Sequence, residues 1–105
     1  MSYHTTDSNG ISELNPTPMR MREILGSVLE DSDSADYPDA WLTHGPSGWT
    51  LTYASNKVLT LENADRDDMP SRCMRNVPLN RALELWMLLA KGDTRAVLGQ
   101  DWSKI

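Results

Sequence analysis

Trp49-Thr50-Leu51-Thr52-Tyr53 alternates large apolar and small hydroxyl side chains without a break. A strand turns successive side chains to opposite faces, so Trp49, Leu51 and Tyr53 share one face and the two threonines the other. This is the pattern of a half-buried strand in an antiparallel sheet. Turn signals bracket it: Gly45-Pro46-Ser47-Gly48 comes before and Ala54-Ser55-Asn56-Lys57 after, residues that favour chain reversal. Beyond the turns, Ala40 to His44 and Val58 to Glu62 read as neighbouring strands, which makes a three-stranded antiparallel meander. Arg72 to Val77 offers a short fourth strand.

Helical spacing takes over on both sides. Upstream, Thr17 can cap a helix with Pro18 at its first position, where the missing N–H costs nothing. Met21, Ile24, Leu25, Val28 and Leu29 then form one apolar stripe ending near Glu30 or Asp31. Gly26 within that stripe weakens the helix by about 1 kcal/mol relative to Ala, which points to close packing there. Downstream, Pro78 opens a second helix, where Leu79, Ala82, Leu83, Trp86 and Ala90 share a face. Leu85, Met87, Leu88 and Leu89 widen this face until the helix is apolar almost all round. Lys91-Gly92 ends it, Asp93 caps a short last helix through Leu98, and Trp102 is expected to fold back on the body.

The expectation is an α+β fold: an N-terminal helix, a three- or four-stranded antiparallel meander, then two C-terminal helices. Residues 1–15, mostly polar with Ile11 and Leu14 among their few apolar side chains, read as a flexible N-terminal arm. Residues 16–105 read as a single compact domain. The element order over about residues 17–91 resembles that of double-stranded-RNA-binding domains. The likeness is one of topology, because Val77-Pro78-Leu79-Asn80-Arg81-Ala82 lacks the lysine cluster with which those domains grip phosphates. RNA binding is therefore not implied.

Composition narrows the chemistry. Fifteen acids and ten bases in 105 residues leave a net charge of -5, which disfavours direct binding to nucleic acid or anionic lipid. No apolar run approaches the roughly 20 residues of a membrane helix. The first ten residues have no basic and apolar signal pattern, and the single cysteine cannot form an internal disulfide. A cytoplasmic location is the expectation.

Chemical motifs fail on inspection. Counted as a calcium loop from Asp31, the required fifth, sixth and twelfth positions are Ala35, Asp36 and Leu42. Cys73 and His44 could form a thiol–imidazole pair only with a third group to orient the ring, and no flanking signature supplies one. Cys73 reads as structural, and His44 as a surface or rim histidine. Gly45-Pro46-Ser47-Gly48 joins two strands and opens no helix, so it lacks the dipole of a phosphate site. Asp67-Asp68 lies in a polar loop with nothing to raise a carboxyl pKa. The expectation is no enzyme, no metal and no cofactor.

Charge is distributed unevenly. Residues 23–56 hold Glu23, Glu30, Asp31, Asp33, Asp36 and Asp39 with no Lys or Arg, whereas residues 66–95 carry six bases against four acids. A one-sided negative field steers basic partners, and aromatic residues beside it serve as anchors. The candidate partner-binding residues are Glu30, Asp31, Asp33, Asp36, Tyr37, Asp39 and Trp41. The expected function is a small acidic, non-catalytic inhibitor of a protein with a basic or nucleic-acid-handling surface, acting as a monomer or homodimer. A bacterial immunity protein masking a toxin and a phage anti-defence or anti-CRISPR-like protein fit equally. The alternative is a structural or adaptor subunit that associates through the apolar helix 79–90.

Overall fold

The computed structural model describes residues 3–7, 10–30, 39–63 and 71–104. In chain order the elements are β1 (Tyr3–Thr6), β2 (Ser12–Leu14), α1 (Pro18–Glu30), β3 (Asp39–His44), β4 (Trp49–Ala54), β5 (Leu59–Asn63), β6 (Arg72–Met74), α2 (Leu79–Ala90), α3 (Thr94–Leu98) and β7 (Ser103–Lys104). The strands form one antiparallel sheet in the order β2-β1-β3-β4-β5-β6-β7.

The α+β class and the β3–β4–β5 meander agree with the sequence pattern, but the N-terminal helix as leading element does not. A strand pair precedes α1, and the sheet has seven strands among the described residues, not three or four. Within the expected arm, Tyr3–Thr6 thus forms β1 beside β3, and Ser12–Leu14 forms β2 beyond it at the sheet edge. The reason lies in what fills β1. Its wholly buried, helix-facing position is Thr5, not a large aliphatic residue, so no apolar alternation marks it. The turn is closed by polar bonds instead: Asp7 N–H donates to the Ile11 carbonyl at 2.9 Å, and Ile11 N–H donates to the Asp7 carboxylate at 2.9 Å. Gly10, at φ +82°, supplies the left-handed residue that this turn needs.

Both long helices pack on one face of the sheet. Met21, Ile24, Leu25 and Val28 of α1 and Ala82, Leu85, Trp86 and Leu89 of α2 form one buried cluster with Leu42, Leu51, Tyr53, Leu59 and Leu61. Two bonds hold α2 in register with the strands. Trp86 Nε1 donates to the Leu51 carbonyl at 3.2 Å, and Tyr53 Oη donates to the Val77 carbonyl at 2.6 Å, just before the helix starts. The caps form as their residue types require. Thr17 Oγ1 accepts from Arg20 N–H at 3.2 Å, and Asp93 accepts from Ala96 N–H at 3.2 Å. Trp102 does fold back, its Nε1 donating to the Val97 carbonyl at 2.7 Å.

Gly26 faces α2, and a Cβ built on it would lie 3.8 Å from Leu79 Cδ1, an ordinary contact distance. Space is therefore available, while the helix bears the flexibility of glycine. Gly26→Ala should raise stability by about 0.5–1 kcal/mol, read as a higher urea midpoint at unchanged slope.

Candidate functional site

Register places every second residue of the sheet on the face away from the helices. One row runs across all seven strands: Ser12, Thr6, Trp41, Thr52, Thr60, Cys73 and Ser103. A second row holds Leu14, His4, Thr43, Thr50 and Glu62, and Asp39 pairs with Ala54 beyond the first. The face is thus built largely from small hydroxyl side chains. Cross-strand bonds tie some of them together, Thr43 Oγ1 to Thr50 Oγ1 and Thr6 Oγ1 to Ser12 Oγ, both at 2.9 Å. Trp41 is the one aromatic side chain in its row, and it is half-buried. Asp39 lies two residues away on the same face, also half-buried, and no ion pair holds it among the described residues.

Among the sequence-derived candidates, the structure therefore brings Asp39 and Trp41 together. Asp31, Asp33, Asp36 and Tyr37 lie outside the described residues, as does the side chain of Glu30. Glu23, the first acid of the negative stretch, sits on exposed α1 at 3.4 Å from Arg20. Pattern reading put Thr50 and Thr52 on the face opposite Trp49, Leu51 and Tyr53, but did not add Thr43, Thr60 and Glu62 to it. The signal was present in the alternation itself, since the residues that are not apolar must line the other side of the sheet.

The chemical candidates resolve differently. Cys73 is free and buried. His44 is not a rim residue, for it is only 3% exposed. As the last residue of β3 it points to the helix side, and the Gly45–Gly48 turn folds Ser47 back so that His44 Nδ1 and Ser47 Oγ lie 2.7 Å apart. Its Nε2 is buried with no hydrogen-bond partner, as is Thr5 Oγ1. Among the described residues no carboxylate orients the His44 ring. Among the described residues no group of three or more His, Cys, Asp or Glu could hold a metal ion.

Burial lowers the His44 pKa from its ordinary value of 6.5, since the charged ring would lose its water and gain no acceptor at Nε2. The unfolded chain then binds a proton near pH 6.5 that the folded chain refuses. Stability conferred by the neutral ring is complete above that pH and declines as pH falls through it towards the lower folded value. Chemical denaturation at pH 7.5 and 5.5 should show a larger acid loss for the wild type than for His44→Gln; equal losses would dismiss this origin.

Two clefts lie in the helix layer among the described residues, of about 470 and 140 Å³. One is bounded by Met19, Arg22, Glu23, Gly26, Ser27 and Leu79, the other by Tyr3, Pro18, Met21, Met87, Ala90 and Lys91. In the first, the Ser27 hydroxyl donates to the Ile24 carbonyl at 2.7 Å. No helix among the described residues is long and apolar enough to cross a membrane. Comparison with known proteins finds no matching family model, no matching curated protein and no matching solved structure.

Proposed function

We propose that this chain is a small, non-catalytic protein-binding module that works in the cytoplasm as an inhibitor, engaging a basic or nucleic-acid-handling surface of its partner through the sheet face around Trp41. The carrying observation is the placement of Trp41 and Asp39 side by side on the face that the helices leave alone. An aromatic residue ringed by threonines gives a contact of large area with little entropy to lose, the usual make-up of an interface anchor. Asp39, with no ion pair among the described residues, adds the last carboxylate of the 23–56 stretch, which has six acids and no Lys or Arg. Negative charge of this kind speeds encounter with a basic surface. A toxin-neutralising immunity protein and a phage anti-defence protein remain the two settings that this chemistry suits.

The adaptor reading gains less. Leu85 and Leu89 of the apolar helix are fully buried within the chain itself, and Leu88 is half-buried. The breadth of the apolar stripe on α2 is spent on the sheet, α1 and α3.

The test is affinity capture from the native host with the wild type, Trp41→Ala and Asp39→Lys as parallel baits, followed by binding kinetics with the recovered protein. Trp41→Ala should weaken affinity at least tenfold, through faster dissociation. Asp39→Lys should slow association, more at 50 mM than at 300 mM salt. A partner held equally by all three baits, or an association rate indifferent to salt, would refute the reading.

A further inference from the structure

The outer strand β2 is open on one side in a way that suits a copy of itself. Asp7 N–H bonds to the Ile11 carbonyl and Asn15 N–H to the Tyr3 carbonyl, both at 2.9 Å, and Glu13 stands opposite Thr5 between them. In an antiparallel ladder only alternate residues face the neighbouring strand. Ile11, Glu13 and Asn15 thus turn their backbone groups to β1, and Ser12 and Leu14 turn theirs outward. Those two N–H and two C=O groups meet no described residue. Neither a proline nor a lysine stands within the short strand Ser12-Glu13-Leu14, and its one charge, on Glu13, is taken up by Arg20. Leu14 is 72% exposed and Ile11 58%, so apolar surface flanks the open groups.

We infer that β2 pairs with β2 of a second copy of this chain, antiparallel, about a two-fold axis through Glu13. In that register Ser12 of each copy faces Leu14 of the other, and each such pair exchanges two hydrogen bonds. All four outward groups of each copy are satisfied at once, and the two sheets become one. An identical strand is the occupant because its donors and acceptors are spaced to match by symmetry. The two Leu14 side chains fall on the diagonal of one face, within reach of each other. The two Glu13 carboxylates face each other across the axis, and each is already held by its own Arg20, whose Nε lies 2.8 and 3.0 Å from the two carboxylate oxygens.

Asn15, at φ +51°, and Pro16 end the strand after three residues, so the contact is small. It belongs to the transient class, below the roughly 1,200 Å² of a stable interface, and the dimer forms as concentration rises from about 10 µM to about 1 mM. The inference does not depend on the Trp41 reading, since the pairing uses the sheet edge and leaves that face open.

Sedimentation equilibrium and amide exchange by NMR on the full chain over that range decide the matter. Mass should rise from 11.8 kDa towards twice that value, while the Ser12 and Leu14 amides gain protection. Ser12→Pro removes an outward N–H and the Ser12 Oγ–Thr6 Oγ1 bond but leaves every backbone bond to β1, so it should remain monomeric with the Thr5 amide still protected. Leu14→Lys, at an exposed site that the fold does not need, should do the same. Arg20→Gln should weaken the dimer, and added salt should restore it. A mass fixed at 11.8 kDa throughout, or a dimer indifferent to both Ser12→Pro and Leu14→Lys, overturns the proposal.

Discussion

Trp86→Ala should cost about 3–5 kcal/mol of folding stability, the range for truncating a buried aromatic residue. Trp86 is 0% exposed and lies where α2 crosses the sheet, in the cluster shared by α1, α2 and the central strands. Truncation removes a large apolar surface from the core and opens a void lined by side chains of three elements. It also deprives the Leu51 carbonyl of the indole N–H. A domain of this size has a total of roughly 5–15 kcal/mol, so much of the population unfolds near the lower end of that range. Trp86→Phe separates the two contributions, keeping much of the apolar contact and losing the hydrogen bond. Urea titrations of the three proteins should rank them wild type, Phe, Ala.

The second large effect belongs to Tyr53. Its ring is wholly buried in β4, and its hydroxyl closes the 2.6 Å bond to Val77 that holds the start of α2. Tyr53→Ala should cost about 3–5 kcal/mol through the cavity it leaves. Tyr53→Phe should cost about 1–3 kcal/mol, because a buried carbonyl loses its donor with little change of volume. Burial also raises the phenol pKa above its ordinary value of 10.0. The unfolded chain therefore ionises first as pH climbs past 10, and stability present below that pH is lost above it, until the folded phenol ionises too. Tyr53→Phe should flatten the alkaline decline seen by circular dichroism. A variant as stable as the wild type would show that the Val77 carbonyl finds another donor.

The legible parts of this chain are those where side-chain size carries the pattern. Trp49, Leu51 and Tyr53 announce β4, the α1 stripe announces its helix, and Thr17, Pro18 and Asp93 mark helix starts that the structure reproduces. The illegible parts are built from polar residues. β1 buries threonine where a strand ordinarily buries valine or leucine, and β7 is two residues long. The clue to the first hairpin was Asn9-Gly10, a turn dipeptide between two short stretches too polar to read as strands. His44 misleads for a related reason: a strand-end histidine beside a turn looks exposed, yet Ser47 satisfies one ring nitrogen and permits burial. At the candidate site, Trp41 and Asp39 were named from charge and aromaticity. That they share a face with the threonines of β3, β4 and β5 follows only from strand register.

The strand order also bears on the route by which the molecule forms. Among the described residues, four of the six junctions in the sheet join strands with no helix between them, β1–β2, β3–β4, β4–β5 and β5–β6. Only β1–β3 and β6–β7 close long loops, the first around α1 and the second around α2 and α3. Local junctions cost little chain entropy and set a fast pace. The central strands can therefore nucleate as a unit, and zippering of the first hairpin onto β3 is the late, entropically expensive event. Mutations in β4 should slow collapse, whereas those in β1 should mainly hasten opening.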